Sequence, residues 1–173
     1  MTESRRLRLA ILFLVLGCTV GCDQTSKHLA RIELSQLGSV TLPGGFGELR
    51  LAENPGSFLS LGALFPQSVR LALFTVSTGV GLIVLLAYLI GHAKLGWVSF
   101  VGLALVLAGG VSNLFDRVTR QGLVTDFILV RVGPFHTGIF NLADLVIVIG
   151  IAAVASALAK RGRAPSATRV DAT

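Results

Sequence analysis

The chain has 173 residues, of which 53% are hydrophobic and 14% charged, with a mean hydropathy of +0.78 and a net charge of +6. About a quarter of the residues in a soluble domain are charged, so these values exclude a soluble globule and indicate a single-domain integral membrane protein. The basic excess then belongs to membrane flanks rather than to a nucleic-acid surface, because no basic run is interleaved with aromatic residues.

Arg5, Arg6 and Arg8 precede the apolar run 9–21. A basic start followed by a short apolar core also fits a signal peptide, and Val15-Leu16-Gly17-Cys18 partly matches a lipoprotein processing box. Three longer apolar segments follow, so a first transmembrane helix is the better account. Cys18 and Cys22 lie one helical turn apart within it and imply no disulfide framework. As free thiols on an apolar helix they act as small hydrophobes. The helix is expected to end at Asp23-Gln24-Thr25-Ser26-Lys27, where Asp23 and Lys27 share a face at i,i+4. An ion pair anchoring the helix end at the membrane surface and a pair near a functional site fit this spacing equally.

Residues 33–65 contain no spanning segment. Ser39-Val40-Thr41-Leu42 and Glu48-Leu49-Arg50-Leu51 alternate apolar and polar about the turn Pro43-Gly44-Gly45, which predicts a small hairpin. After the turn at Asn54-Pro55-Gly56, the residues Phe58, Leu61, Leu64 and Phe65 fall near one helical face, as in a short helix lying on the membrane. Residues 33–66 would form a hairpin and a mobile cover. The run 69–90 is a second span, because about 20 apolar residues cross a bilayer core. Tyr88 and Trp97 bracket the short polar link 91–96, the placement of interfacial aromatics; His92 within it has no assigned role. Residues 97–114 form a third span in which Gly109-Gly110 permits close helix approach. Residues 124–132, rich in β-branched side chains, read as a strand. Residues 139–159 form the fourth span, which places Asp144 roughly 8 Å inside the helix start. The fold class is therefore an all-α membrane protein of four spans, with a small extracytoplasmic sheet or hairpin and a short interfacial helix. The tail 160–173 is basic and is expected to be disordered and cytoplasmic.

With both termini inside, the cytoplasmic segments hold eight Lys/Arg and the outer ones seven, but the inner segments are far shorter. Basic density at span ends orients helices, so N-in and C-in is expected. Every polar cluster then lies toward the outer leaflet. Asn113, Asp116 and Arg117 share one helical face, and Asn141 and Asp144 share another. Asp126 and Asp144 are separated by a strand and a tight turn, so they can meet. Two carboxylates held close do not both ionise easily: one keeps a proton as general acid while the other polarises a water. Intramembrane carboxylates are costly and by default functional. A plainer alternative is that the acids pair with Arg117 and Arg131 to hold the outer face together.

The blocks Asp23-Gln24-x-Ser26-Lys27, Asn54-x-Gly56-x-Phe58, Gly110-x-x-Asn113-x-x-Asp116-Arg117, Val124-x-Asp126-Phe127 and Phe140-Asn141-x-Ala143-Asp144 occur in order along the chain. Jointly they resemble the motifs of bacterial lipoprotein signal peptidase, signal peptidase II. The resemblance implies an aspartic endopeptidase of the bacterial cytoplasmic membrane that cuts prolipoproteins before a diacylglyceryl-modified cysteine, without cofactor or metal. It implies Asp126 and Asp144 as the catalytic pair, with Asn54, Asn113, Asp116, Arg117, Asn141, Asp23, Lys27 and Gly110 binding substrate or supporting the pair. It further implies a monomer in contact with membrane lipids, an active site near the outer leaflet, and inhibition by cyclic peptide antibiotics of the globomycin type. The stretch NPGSFLSLG after Glu53 and the long link 130–138 depart from the family pattern; both bear on substrate preference.

Two other classes compete with a protease. A small carrier with an acid relay would show an internal repeat or helices broken at midplane, and the sequence has neither. A non-catalytic paralogue that binds acylated lipoproteins would have no need of the intact aspartate pair.

Overall fold

The structure, a computed structural model, describes residues 3–55, 66–92 and 94–162. Among them are four helices long and apolar enough to cross a membrane: α1 (Glu3–Leu37), α2 (Gln67–Gly91), α3 (Trp97–Thr119) and α4 (Leu142–Gly162). Between α1 and α2 lie β1 (Ser39–Thr41) and β2 (Gly47–Asn54), and between α3 and α4 lie β3 (Val124–Val132) and β4 (Phe135–His136). The strands form an antiparallel sheet in the order β1-β2-β3-β4. The hairpin, the strand at 124–132 and the four spans are thus as the sequence reads. The expected helix around Phe58–Phe65 lies outside the described residues, as does the tail from residue 163.

Several helix boundaries differ from expectation, α3 among them, which runs to Thr119 rather than to 114. α1 does not end near Lys27: its 35 residues extend about 50 Å, well beyond the roughly 30 Å hydrocarbon core. Residues 28–37 contain no Gly or Pro, and Ala30 and Leu34 are buried against Phe127 of β3 and Leu49 and Leu51 of β2. The sheet therefore supplies the packing that carries the helix past the membrane. Gly38, at φ +74°, ends it by donating its N–H to the Leu34 carbonyl at 2.9 Å, the single-bond left-handed cap. α4 begins at Leu142 rather than at 139, because Phe140 bridges to Ile128 as an extension of the sheet. Asp144 is therefore in the first turn. At its other end α4 continues to Gly162, so residues 160–162 are helix rather than tail.

α3 is the axis of the bundle. Of its apolar window, 56% is buried, against 6–11% for the other three spans. Leu12 of α1 and Leu89 of α2 pack on Phe100, Ala104 and Leu107 of α3. Phe13, Leu14, Ile83, Val84 and Val148 point outward on the remaining faces, as side chains against lipid do. α3 and α4 touch backbone to backbone: a Cβ on Gly102 would lie 2.8 Å from the Gly150 carbonyl oxygen, and one on Gly109 would lie 2.6 Å from that of Ala143. Small residues at the seam let helices approach this closely in a membrane. Gly110 turns the other way, against Leu82 of α2.

The β2–β3 pairing carries the one irregularity that matters for the site. Leu49 pairs with Ile128 but Ala52 with Asp126, so β2 gains one residue between them. A one-residue slip moves every later side chain to the opposite face. The bulge thus puts Ala52 and Asn54 on the face of Asp126, and turns Glu53 away to meet Arg120 at 2.5 Å.

Candidate active site

The polar residues meet where α1, α3, the end of β2, β3 and the start of α4 converge. Their lower layer is built on Lys27. Its ammonium sits 2.7 Å from Asp23 Oδ2 and 2.9 Å from Asp116 Oδ2, and donates to Asn113 Oδ1 at 2.9 Å. Lysine has three N–H donors, so all are used, and Lys27, Asp23 and Asp116 are 0%, 0% and 1% exposed. The Asp23–Lys27 pair is therefore a buried element of the bundle rather than a membrane-surface anchor. The carboxylates are saturated as well. Asp23 accepts from Ser112 Oγ (2.6 Å) and from the Ala143 backbone N–H (2.9 Å). Asp116 accepts from Gln24 Nε2 (3.0 Å) and the Thr125 N–H (3.2 Å). Asp116 thus answers Lys27, not its neighbour Arg117.

Lys27 also sets the layer above it. An ammonium only donates, so the amide oxygen of Asn113 must face it, and the Asn113 NH2 turns to Asp144 Oδ1 at 2.8 Å. Asn141 is the N-cap of α4. Its Oδ1 accepts the Asp144 N–H at 2.9 Å while Asp144 Oδ2 accepts the Asn141 N–H at 3.2 Å, the reciprocal arrangement of a capping box. With its oxygen committed, the Asn141 NH2 reaches Asp126 Oδ1 at 2.6 Å and Asn113 Oδ1 at 3.2 Å. Asn54 donates to the other oxygen of Asp126 at 3.0 Å. One residue, Asn141, therefore holds both aspartates, Asp126 by its side chain and Asp144 by its backbone.

Asp126 is 2% exposed. Loss of water pushes its carboxyl up to about 6, and the nearby Asp144 adds to the rise; the bonds from Asn54 and Asn141 and the charge of Lys27 work against it. Asp144 is half-buried and lines a groove of about 330 Å³ with Thr137, Gly138, Ile139, Phe140, Leu145 and Val148. The pair thus combines a carboxyl that favours its proton with one that reaches an open, largely apolar groove. Arg117 stands near Asp144, Asp126 and Asp116, with its Nε buried and without a hydrogen-bond partner among the described residues. Arg131 pairs with Glu48 at 2.9 Å on the exposed side of the sheet, which removes it from the alternative in which arginines neutralise the acids.

Of the residues singled out from sequence, Asp23, Lys27, Asn54, Asn113, Asp116, Asp126, Asn141 and Asp144 form one connected set, with Arg117 beside it and Gly110 facing α2. Ser112 and Thr125, both fully buried, and the Ala143 N–H were not anticipated. Ser112 precedes Asn113 in an apolar helix, and only its position one turn before Asp116 hints at a role. Gly56 and Phe58 lie outside the described residues.

A family model described as signal peptidase (SPase) II matches residues 15–160. The lipoprotein signal peptidase of Syntrophus aciditrophicus (strain SB) is 35% identical over 142 residues, covering 82% of this chain and 88% of that protein. The lipoprotein signal peptidase of Rhodococcus jostii (strain RHA1) is 32% identical over 174 residues, covering 98% and 80%. A solved structure described as a bacterial membrane enzyme superposes with a TM-score of 0.73 at 28% identity, covering 86% of this chain and 92% of that one. The chain belongs to the signal peptidase II family of membrane proteases.

Proposed function

We propose that Asp126 and Asp144 are the catalytic pair with which the protein removes signal peptides from diacylated prolipoproteins. The observation that carries this reading is the shared hold of Asn141 on two carboxylates of unequal environment. Asp126, whose burial favours the proton, is the general acid. Asp144, which faces the groove, is the general base and takes a proton from a water as its oxygen attacks the scissile carbonyl carbon. Asp126 gives its proton to the carbonyl oxygen, and the resulting tetrahedral species collapses with proton transfer to the leaving nitrogen. The products are the carboxylate end of the signal peptide and the free amino group of the lipidated cysteine. One proton is thus passed between water, the two carboxyls and the substrate across the cycle.

Arg117, with an unused donor beside the pair, is suited to hold a substrate carbonyl. The groove along α4 admits an extended chain from the lipid side. The protein works as a monomer in the cytoplasmic membrane, with both termini cytoplasmic and the pair near the outer leaflet. Globomycin-type cyclic peptides would compete for the same groove.

The test is incubation of purified protein with a diacylated prolipoprotein, with release of the signal peptide read on a gel. Asp126→Asn and Asp144→Asn should each abolish release while the protein stays folded. The double change should be scarcely worse than either, because residues acting as a unit are non-additive. Substantial turnover in either single variant would move the chemistry elsewhere, first to Asp116.

A further inference from the structure

At the end of the bundle away from the aspartates, α3 and α4 part to leave a groove of about 250 Å³ lined by Gly96, Trp97, Val98, Ser99, Ser156, Ala157, Lys160 and Arg161. Trp97 and Asp116 are 19 residues apart on one helix, so the groove and the aspartate cluster are separated by about 29 Å, close to the thickness of the hydrocarbon core. It therefore lies at the opposite membrane face.

The charged residues that line it, Lys160 and Arg161, are both basic. The first turn of α3 has no acidic residue and no side-chain cap, so its free N–H groups present a partial positive charge. Arg161 nevertheless folds onto this end: its Nη2 lies 3.2 Å from where a Cβ on Gly96 would be. Lys160 lies beside it, and neither residue enters an ion pair among the described residues. Both are exposed residues of the last turn of α4, so two cations and the N-terminus of α3 converge at one place where an anion can bridge them. A second, independent observation points the same way. Ser99 lines the groove at 6% exposure and its side chain makes no hydrogen bond among the described residues, so its hydroxyl is open to a ligand in the groove. The walls are firm. Arg8 stacks on Trp97 at 4.6 Å and donates to the Leu95 carbonyl at 2.6 Å, which fixes the tryptophan beside the groove. The remaining surface is apolar, with Val98 55% exposed, and Trp97 is of the type that marks headgroup level.

We propose that this groove binds the phosphate headgroup of an anionic phospholipid in the leaflet opposite the aspartates, with an acyl chain running along Val98 and Ala157. Backbone N–H groups of α3, Ser99 Oγ and the Lys160 and Arg161 cations would hold the phosphate, the chemistry of helix N-termini and of basic pockets between transmembrane helices. A free phosphate would leave the apolar walls uncovered, which is why a lipid is the fitting occupant. In the orientation proposed above, this leaflet is the cytoplasmic one.

The test uses full-length protein in nanodiscs of mixed phosphatidylglycerol and phosphatidylcholine, released into a native mass spectrometer. The wild-type protein should retain phosphatidylglycerol preferentially. Lys160→Gln/Arg161→Gln should lower the retention ratio by about thirtyfold, as expected for two basic side chains near an anionic headgroup, and Ser99→Ala should lower it less. Both variants should cleave prolipoprotein in detergent at the wild-type rate, and the binding readout requires no turnover, so it stands apart from the catalytic assignment. Equal retention of the two lipids, or a ratio unchanged in the double variant, would overturn the proposal. Displacement of the lipid by millimolar inorganic phosphate would overturn it too, by making the site one for free phosphate.

Discussion

Lys27 is the residue whose loss should be felt most widely. Its ammonium is fully buried and bonds to Asp23, Asp116 and Asn113 at 2.7, 2.9 and 2.9 Å. Lys27→Met keeps the length and apolar stem but leaves two carboxylates facing each other without a cation. Breaking a buried pair by removing one partner costs about 3–5 kcal/mol, and each kcal/mol moves the melting temperature of a chain this size by roughly 2–4 °C. The expected fall is therefore about 6–20 °C, measured by thermal unfolding in detergent. Turnover should fall beyond what unfolding explains, because Asn113 is then free to rotate its amide away from Asp144. The cost belongs to uncompensated charge rather than to lost contacts, so Asp23→Asn/Lys27→Met/Asp116→Asn should recover a large part of the stability. A single variant that melts within about 2 °C of the wild type, or a triple variant no more stable than the single one, would refute this account.

Four further outcomes are expected. Asp126, raised to about 6 from its ordinary 3.8, binds a proton more readily folded than unfolded; its contribution to stability is present in full below 3.8 and lost as pH rises through about 6, so Asp126→Asn should melt higher than the wild type at pH 8. The same group predicts that kcat/KM falls above an apparent pKa of about 6, and Asn54→Ala should move that limb upward by removing a bond that favours the ionised form; a downward move would contradict the assignment. Gly150→Ala would put a Cβ 2.5 Å from the Gly102 carbonyl oxygen and should cost about 1–3 kcal/mol by overpacking, read as a lower melting temperature, whereas Gly81→Ala, with open space around it, should not. In a Cys18/Cys22-free background, an impermeant reagent applied from outside should label a cysteine at position 45 but not one at 94; the reverse pattern would invert the topology.

The four spans, the hairpin and the strand carrying Asp126 were legible because each has its own signal: continuous apolar length, alternation, or a β-branched run between turns. Helix ends were less so. α1 outruns its apolar stretch because Ala30 and Leu34 find Phe127, a partner nearly a hundred residues away that no local window contains. The start of α4 is later than its apolar run suggests because Ile139 and Phe140 continue that run in sequence, yet Phe140 is claimed by the sheet. The site residues were legible as types and spacings, but their division of labour was not. Lys27 sits closer in sequence to Asp23 than to Asp116, and Asp116 closer to Arg117 than to Lys27; only the packing of α1 on α3 decides that Lys27 takes both acids. Asn54 reads as an ordinary turn residue. Its place beside Asp126 depends on the bulge after Leu49, which nothing in the alternation of β2 announces.

The buried ion cluster and the aspartate pair are best understood as one construction in two layers. The lower layer is charged and saturated, with the donors and acceptors of Lys27, Asp23 and Asp116 committed to one another, to Gln24, Ser112 and Asn113, and to the Ala143 and Thr125 backbone. That saturation makes it rigid, since any rotation would strand a buried charge. The upper layer is made of amides, which have no preferred end until a neighbour imposes one. Lys27 imposes it on Asn113, and the Asp144 N–H imposes it on Asn141. The amide hydrogens left over are the ones that meet Asp144 and Asp126. A direct lysine contact to the pair would hold both acids ionised and remove the shared proton that the proposed mechanism needs. Passing the orientation through neutral asparagines fixes the geometry of the pair while leaving the carboxyl of Asp126 free to be raised by burial. The cap of α4 lets the same peptide group that begins a helix also hold the Asp144 carboxylate of the proposed pair. Asn141 is consequently the residue whose replacement by aspartate, similar in shape but without the NH2, would convert a donor to Asp126 into a third acid.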